Sequence, residues 1–243
     1  MTYYKLENIE KSFGNNKILE NISFSLKKGE IISFVGKSGV GKTTLFDILA
    51  GFEKATKGKI FLNEIDITEK EKNISYMMQK SLLLEHLTVL QNICLPLTLQ
   101  KINKKTAIEI CENMLNKFEL LEHKNKYPIE LSGGMKQRVS FLRAYLKKAD
   151  LMLLDEPFSA LDSITKHYMY NWFKNVIEKR ENTIIFITHD IKEALNLSDK
   201  IFVLSGKPAK IVYSLNIAEK CINENSELFN KYYNEILEYI GEI

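Results

Sequence analysis

The chain has 243 residues, of which 45% are hydrophobic and 27% are charged, as in an ordinary globular protein with one large domain. Its net charge is only +3, and charged residues of both signs are mixed along the sequence, so the charge does not favour a nucleic-acid partner. No apolar run approaches the ~18 residues that span a bilayer, and the first residues lack the apolar stretch of a secretory signal. Both observations argue against an integral membrane protein or a secreted one.

Three cysteines, Cys94, Cys111 and Cys221, lie far apart in the sequence. Their number is odd, and their spacing does not match a metal site. We therefore expect buried or idle thiols in a reducing cytosol.

The first part of the chain is rich in predicted strands. Residues 2–9 and 18–26 form the first two, and in the second of them apolar residues alternate with serines, the period of a half-buried antiparallel strand. Residues 11–16 between them are predicted to be a turn. Further strands are predicted at residues 59–62 and 73–78.

A glycine-rich loop follows a short apolar strand at residues 31–35 and precedes a helix at residues 44–50. Its sequence fits the phosphate-binding pattern G-x-x-x-x-G-K-[ST]. Strand, loop and helix start together turn backbone N–H groups and the positive end of the helix dipole toward an anion. The pattern predicts that the chain binds a nucleoside triphosphate through Gly36, Lys37, Ser38, Gly39, Val40, Gly41, Lys42, Thr43 and Thr44.

Individual side chains near this loop suit the parts of a nucleotide. Lys42 can reach the β- and γ-phosphates, and the Thr43 hydroxyl can ligate Mg²⁺. Phe13 lies just before the nucleotide-binding strand in the chain, so its ring is placed to stack on a purine. The alternative is that Phe13 plugs the end of a hairpin.

From about residue 80 to 149 the pattern is mostly helical, which indicates a helical subdomain inserted into the nucleotide-binding core. Its last helix begins at Ser132, a natural N-cap. Gly133 and Gly134 follow, although glycine in a first turn costs up to ~1 kcal/mol relative to alanine. Bare backbone at a helix N-terminus is what a second anion site requires. One face of the helix is predicted to be apolar, with Met135, Val139, Leu142 and Leu146.

Acidic residues follow the next apolar strand, at residues 151–154. Asp155 and Glu156 emerge at its carboxyl end, where open α/β sheets bind ligands. Asp155 is placed to hold Mg²⁺ through water, and Glu156 to polarise an attacking water. A strand at residues 183–188 ends in the same way at His189, which we interpret as a sensor of the γ-phosphate.

The last third of the chain is predicted to complete the core. A helix to about Arg180 is expected to carry Trp172 and Phe173 in its core-facing stripe, and a hairpin of residues 200–204 and 210–213 closes the sheet. An amphipathic helix then docks on its own domain or, alternatively, on a partner. Its four-residue spacing comprises Leu228, Tyr232, Ile236 and Ile240.

Over roughly residues 2–213 these motifs resemble the ATPase subunit of ATP-binding cassette (ABC) transporters. The glycine loop is similar to a Walker A loop, and the signature that separates this family from other P-loop ATPases is present. All six motifs stand in the order of the family. The other five are a Q-loop at Gln79, an LSGGQ-type signature at Leu131–Met135, a Walker B strand at Leu151–Glu156, a D-loop at Ser159–Asp162 and an H-loop at His189.

The resemblance implies an α/β fold. It consists of a P-loop NTPase (RecA-like) core, an N-terminal antiparallel β subdomain and an inserted α-helical subdomain, all in one ABC ATPase domain. The expected boundaries are residues 1–79 and 150–213 for the nucleotide-binding core, 80–149 for the helical subdomain and 214–243 for a C-terminal helical tail.

The resemblance also implies a head-to-tail dimer with two ATP molecules between the cassettes. Ser132, Gly133 and Gly134 of one copy would bind the γ-phosphate of the ATP held by the second copy, and Phe13 would stack on adenine. A homodimer is favoured because the chain carries both half-sites.

For catalysis, the resemblance makes Glu156 the general base and His189 the residue that holds the γ-phosphate. Gln79 would contact Mg²⁺ and the attacking water, and would relay closure to a transmembrane permease subunit docked near Leu82–His86.

Several details resemble the nitrate/sulfonate/taurine branch of importers. Met135 replaces the usual Gln of the signature, as is common in cassettes of bacterial importers. Residues 82–89 and 206–211 are similar to segments of this branch, with Leu84–His86 in place of its usual Leu-Pro-Trp and Ala209 in place of Gly. The transported solute is not encoded in this chain, because selectivity lies in other subunits.

We therefore expect an ATPase that powers import of a solute of this type, or of a related small organic solute. It would lie peripherally on the cytoplasmic face of the cell membrane, with permease subunits and an extracytoplasmic solute-binding protein as partners. The alternatives are an exporter subunit, a non-transport ABC ATPase of translation or DNA repair, and a nucleotide-binding scaffold without hydrolysis. The absence of a second cassette and of a long coiled coil disfavours the second alternative, and the presence of Glu156 and His189 disfavours the third.

Overall fold

The computed structural model describes residues 3–162, 165–171, 173, 182–217 and 226–241. Its strands are β1 (Tyr4–Phe13), β2 (Asn16–Leu26), β3 (Ile31–Val35), β4 (Lys57–Leu62), β5 (Ile65–Asp66), β6 (Ile74–Met77), β7 (Leu151–Asp155), β8 (Ile184–Ile187), β9 (Lys200–Ser205) and β10 (Lys210–Asn216). Its helices are α1 (Lys42–Ala50), α2 (Val89–Leu99), α3 (Lys104–Lys117), α4 (Gly133–Leu146), α5 (within residues 165–173), α6 (Ile191–Leu197) and α7 (Glu227–Ile240).

The described strands form two sheets, which confirms the predicted division into a β subdomain and a nucleotide-binding core. The first is antiparallel, in the order β2-β1-β4-β5. The second has the order β10-β9-β3-β8-β7-β6, in which β9, β3, β8, β7 and β6 run parallel and β10 is antiparallel. Every residue of β3, β7 and β8 is buried, as expected for central strands covered on both faces.

The hairpin of β1 and β2 is tighter than the predicted turn at residues 11–16. Both strands continue until Phe13 pairs with Asn16, so that Gly14 and Asn15 alone make the turn. Gly14 has a φ of 56°, a left-handed conformation that glycine adopts without strain. The turn was predicted too long because polar residues at the end of a hairpin look the same whether they are paired or not.

The helical subdomain packs as one body on the core. Helix α2 contacts both α3 and α4, and α4 contacts β6. On α4, Val139, Leu142 and Leu146 are buried as predicted, whereas Met135 is only partly buried because it lies in the first turn. Cys94 and Cys111 are buried free thiols of this subdomain, as expected, and Cys221 lies outside the described residues.

The end of the chain differs from the predicted boundaries. Strand β10 continues to Asn216, beyond the expected core boundary at residue 213. Helix α7 then packs on α6 and β9, so it docks on its own domain. Leu228 is 38% exposed, and Phe229 is buried in the place expected for it. At 100° per residue Phe229 lies about 20° from Ile240 around the helix, whereas Leu228 lies about 120° away.

The core-facing residues of α5 and the absence of a membrane-spanning helix were also predicted from the sequence. Phe173 is fully buried, as expected for a core-facing position, whereas Trp172 lies outside the described residues. Within the part of the chain that the structure describes, no helix has both the length and the apolar character needed to cross a bilayer.

Candidate active site

The parallel strands place the predicted site residues on one edge of the sheet. Strands β3, β6, β7 and β8 run in the same direction and are neighbours in the order β3-β8-β7-β6. The segments that leave their carboxyl ends therefore meet at the same edge. These segments begin at or contain Gly36 after β3, Gln79 after β6, Glu156 after β7 and His189 after β8.

The phosphate loop ends in an uncapped helix N-terminus. The N-cap of α1 is Gly41, with a φ of 119° and no side-chain capping hydrogen bond. Lys37, Ser38 and Gly39 of the loop are exposed. A Cβ added at Gly36 would lie 2.4 Å from the carbonyl oxygen of Leu204, so only glycine fits there. The first N–H groups of α1 are thus left for an external anion.

Lys42 points back into this loop. Its side chain is buried, and its ammonium donates to the carbonyl oxygens of Gly36 at 2.6 Å and Lys37 at 2.9 Å. Burial lowers the pKa of Lys42, and the charges of Glu156 and Asp155 oppose this shift. A desolvated ammonium inside a loop of backbone donors is suited to a polyphosphate.

Asp155 and Thr43 form a pair of hard oxygen ligands next to the loop. The Thr43 hydroxyl lies 3.5 Å from Asp155 Oδ2, and Asp155 is 4% exposed. Burial, followed by the negative charge of Glu156, raises the pKa of Asp155 to about 6. Among the described residues, no cluster of three or more His, Cys, Asp and Glu side chains could hold a metal alone. A hydroxyl and a carboxylate do fit Mg²⁺, which is commonly completed by water and substrate phosphates.

Glu156 is the meeting point of the polar side chains at the edge. Its Oε2 accepts a hydrogen bond from Gln79 Nε2 at 3.2 Å, and its Oε1 lies 3.3 Å from His189 Nδ1. The side chain of Glu156 is 19% exposed and that of His189 is 65% exposed. The backbone of Glu156 has a φ of 49°, a left-handed conformation that is uncommon for glutamate and often marks functional positions. Glu156 is therefore in direct contact with each of the other two predicted catalytic side chains.

Gln137, which the sequence analysis did not single out, holds this arrangement from α4. Its Nε2 donates to the Glu156 carbonyl oxygen at 2.8 Å, and its Oε1 accepts from the Ala160 N–H at 3.0 Å. Gln137 is 5% exposed. The available signal was weak, because α4 was predicted to bury one face and instead buries residues of two.

The predicted second anion site lies next to a different segment. The Ser132 hydroxyl caps α4 by accepting from the Met135 N–H, as predicted. A Cβ at Gly133 would have no described atom within 4 Å. A Cβ at Gly134 would make ordinary contacts, at 3.4 Å, with Ala160 and Leu161. Neither glycine has the positive φ that the phosphate-loop glycines have, so the described part of their own chain gives no reason for them.

Phe13 lies at the hairpin end, but it does not plug it. Its ring is 48% exposed, and the ammonium of Lys11 lies 4.6 Å from the ring centroid. Lys11 is itself held by the Glu53 carboxylate at 2.7 Å and the Lys54 carbonyl oxygen at 2.8 Å. Phe13 is therefore an exposed aromatic ring supported by a fixed cation.

Comparison with known proteins places these features in a family. The chain matches the family model described as ABC transporter over residues 19–159. The formylaminopyrimidine import ATP-binding protein ThiZ of Halalkalibacterium halodurans is 42% identical over 80% of this chain and 76% of its own length. The aliphatic sulfonates import ATP-binding protein SsuB of Bacillus cereus is 38% identical over 94% of this chain and 90% of its own length.

Solved structures agree with the family match. Two dimeric structures of the ABC transporter cassette MJ0796 superpose with TM-scores of 0.80 and 0.81 at 28% sequence identity. Each covers 89% of this chain and 99% of the solved one. One of them is a post-hydrolysis state bound to ADP and Pi. The expected α/β cassette fold is thereby confirmed.

Proposed function

Since the chain belongs to the ABC transporter family and is one of its ATPases, we propose that it powers the import of a small organic solute. The observation that carries the proposal is the edge of the sheet, where the phosphate loop lies with Glu156 and the two polar side chains that contact it, Gln79 and His189.

ATP binds along the phosphate loop. Backbone N–H groups of Gly36–Thr44 surround the phosphates, Lys42 neutralises their charge, and Phe13 stacks on adenine. Thr43 and Asp155, with Gln79, would hold Mg²⁺, which would neutralise phosphate charge. The bound nucleotide supplies the phosphoanhydride bond that is cleaved.

Glu156 is the general base. Its carboxylate is held from two sides, by Gln79 and by His189, so it has a fixed position from which it can orient and deprotonate a water. His189 is exposed enough to turn toward a γ-phosphate, and Gln79 senses whether nucleotide is in place. The held carboxylate disfavours a scaffold that binds nucleotide without hydrolysing it.

A second copy of the chain completes the site. Ser132, Gly133 and Gly134 bind the γ-phosphate of the ATP held by the partner copy. The support is that these are bare glycines at an exposed helix N-terminus, for which the described residues of their own chain give no conformational or packing reason. A homodimer is sufficient, because each copy carries both halves.

The permease subunit docks on the loop before α2. Leu82 in this loop is 57% exposed, while the backbone of the loop is held firmly. Asn92 donates to the carbonyl oxygens of Leu84 and Leu87, and Arg143 donates to that of Leu82. A neighbouring groove of about 490 Å³, lined by basic side chains such as Lys72, suits an acidic segment of a membrane subunit. This docking places the chain on the cytoplasmic face of the membrane.

The solute is of the nitrate, sulfonate or taurine type or a related small organic molecule, delivered by an extracytoplasmic binding protein. The relatives support import as the direction of transport, although their names specify different solutes, namely formylaminopyrimidine and aliphatic sulfonates. Purification of the chain with its membrane partners, followed by transport assays with candidate solutes, distinguishes import from export. Recovery with ribosomes or DNA instead would reject a transport function.

Mixing two inactive variants tests the shared site directly. Lys42→Ala removes the phosphate-loop cation, and Gly133→Asp places a carboxylate where the partner's phosphate would lie. The aspartate is harmless in its own chain, because an acid in the first turn of a helix is favourable. We expect neither variant alone to hydrolyse ATP, and the mixture to regain activity, because a mixed dimer contains one site without either change. A mixture as inactive as its components would reject the shared site.

A further inference from the structure

Lys166 connects two loops of the active-site edge. It lies in α5, and its ammonium binds Asp190 Oδ2 at 3.0 Å and Glu193 Oε1 at 2.6 Å. Both carboxylates belong to the start of α6, directly after His189. Burial lowers the pKa of Lys166, but its hydrogen bonds to Glu193 and Asp190 outweigh this and leave the pKa raised, so the ammonium is charged.

The two carboxylates fix the backbone on both sides of His189. Glu193 is 3% exposed and accepts a hydrogen bond from the Thr188 hydroxyl. That hydroxyl in turn accepts from the Asp190 N–H at 3.0 Å, and Asp190 caps α6. A buried carboxylate requires a cation or several donors to offset its desolvation, and Lys166 supplies the cation.

The N-terminal end of α5, which carries Lys166, is also joined to the segment Ser159–Asp162. The Asp162 carboxylate accepts from the Thr165 N–H at 3.0 Å, and the Asp162 carbonyl oxygen accepts from the Lys166 N–H at 2.8 Å. The same segment lies against Gly134 through Ala160 and Leu161. A continuous set of contacts thus runs from the glycine end of α4 to the backbone of His189.

We propose that Lys166 is a positioning residue for ATP hydrolysis, which holds His189 in reach of Glu156 and ties its position to the segment Ser159–Asp162. The inference rests on the proposed function, in which His189 contacts the γ-phosphate and the glycine end of α4 binds the ATP of the partner copy. A shift of the glycine end of α4 would thus change the position of His189 through the contacts of α5 and Lys166. Lys166 itself does not touch the nucleotide.

The test begins with ATPase kinetics of the full chain bearing Lys166→Met, which keeps the length of the side chain and removes its charge. We expect kcat to fall by about tenfold, since misplacing a catalytic group slightly costs one to two orders of magnitude in rate. The KM for ATP is expected to stay within about twofold, because the phosphate loop is not changed. Lys166→Arg, which keeps the charge and can bridge two carboxylates, is expected to restore most of the rate.

A double-mutant comparison with His189→Ala decides whether Lys166 acts through this histidine. If it does, Lys166→Met has little further effect on kcat once His189 is absent. An equal loss in both backgrounds would overturn the proposal, as would a normal kcat for Lys166→Met. If His189→Ala itself hydrolysed ATP normally, the proposed role of His189 would fail instead, so the two failures are distinguishable.

Two further variants test whether a loss of kcat comes from unfolding or from the removal of any lysine charge. If Lys166→Met unfolds the protein by leaving Glu193 buried and unpaired, it is combined with Glu193→Gln, which removes the buried charge and still breaks the ion pairs of Lys166. The double variant is expected to lose kcat. A folded double variant with normal kcat overturns the proposal. Lys59→Met is the matched control, because it removes a lysine from an exposed ion pair with Asp66, and it is expected to keep the normal rate.

Discussion

Two helix N-termini of this molecule carry glycines, and they differ in what explains those glycines. At the start of α1, the phosphate-loop glycines are required by the fold of their own chain. Gly36 lies against the Leu204 carbonyl, and Gly41 has a left-handed backbone. At the start of α4, a Cβ on Gly133 would meet no described atom within 4 Å, and the residue has an ordinary helical position. We call the start of α1 the fold-built end, because contacts within the chain require its glycines, and the start of α4 the open end, because the described contacts do not.

The difference teaches which half of the proposed site one chain can form alone. The phosphate loop, Lys42 and Glu156 are assembled by neighbouring strands of a single sheet. Gly133 and Gly134 are instead placed by the helical subdomain, next to the segment that contains Ala160. Changes at the first end should therefore affect a single chain, and changes at the second should affect only the assembled pair.

The largest effect is expected where both ends remain intact and only the chemistry is removed. Glu156→Gln keeps the shape of the side chain but removes the base, so we expect the ATPase rate to fall by about 10²–10⁴. ATP binding should be retained. Steady-state hydrolysis and a nucleotide-binding titration measure the two quantities, and a near-normal hydrolysis rate would exclude Glu156 as the base.

Because hydrolysis is blocked in this variant, its ATP-bound dimer should persist. Size-exclusion chromatography with ATP is expected to show a dimer for Glu156→Gln. Adding Gly133→Asp should return the protein to a monomer without lowering its melting temperature in the absence of nucleotide. A dimer that tolerates the aspartate would break the comparison between the two helix ends.

The next effect concerns the fold-built end. Gly36→Ala places a Cβ about 2.4 Å from the Leu204 carbonyl oxygen, so the loop or β9 must move. We expect the free energy of unfolding to fall by about 3 kcal/mol, the upper end of ordinary overpacking costs. Denaturant unfolding of the nucleotide-free chain measures this loss. Unchanged stability would mean that the loop relaxes freely and is not fixed by the sheet.

Most of the fold-built end was predictable from sequence, because its pattern is local. The glycine loop, Asp155, Glu156 and His189 each follow a short apolar strand, and parallel strands bring such ends together. The contacts that orient them were not predictable. Gln137 comes from the helical subdomain, and no local pattern reports which side chain of a distant helix will reach the Glu156 carbonyl.

The same limit explains the errors elsewhere. A four-residue spacing placed Leu228 in the apolar stripe of α7, but the true helical period of 3.6 residues favours its neighbour Phe229. Likewise, Lys166 appears in sequence as one of many surface lysines. Its importance becomes visible only when the sheet brings α5 beside the start of α6.

A pH-dependent effect tests the cost of building the site inside one chain. Asp155 has an ordinary pKa of 3.8 and a pKa of about 6 in the folded chain, because burial and Glu156 disfavour its charge. Between these values the folded state holds more protons than the unfolded state, so its stability falls as pH rises. By pH 7 the loss amounts to between about 2 and 3 kcal/mol.

Asp155→Asn should remove this loss. In the absence of nucleotide we expect the variant to be more stable than the natural chain at about pH 7, and the difference to shrink toward about pH 4, where Asp155 is protonated in the folded chain. Its ATPase activity should be low, because the proposed magnesium ligand is gone. Equal stability of the two proteins across this pH range would show that Asp155 is not destabilised by its surroundings.

The smallest effect on stability is expected at the start of α4, and its sign is opposite to that of Gly36→Ala. Gly133→Ala adds a methyl group where no described atom lies within 4 Å, in the first turn of a helix. Alanine favours a helix over glycine by about 0.5–1 kcal/mol, so the isolated chain should become slightly more stable.

The same methyl group should weaken the ATP-dependent dimer, since the backbone of α4 could no longer approach a phosphate closely. Unfolding and dimerisation of one variant thus report separately on the two roles. A variant whose dimer is as tight as that of the natural chain would mean that the glycine serves no partner, and the contrast between the two helix ends would lose its functional meaning.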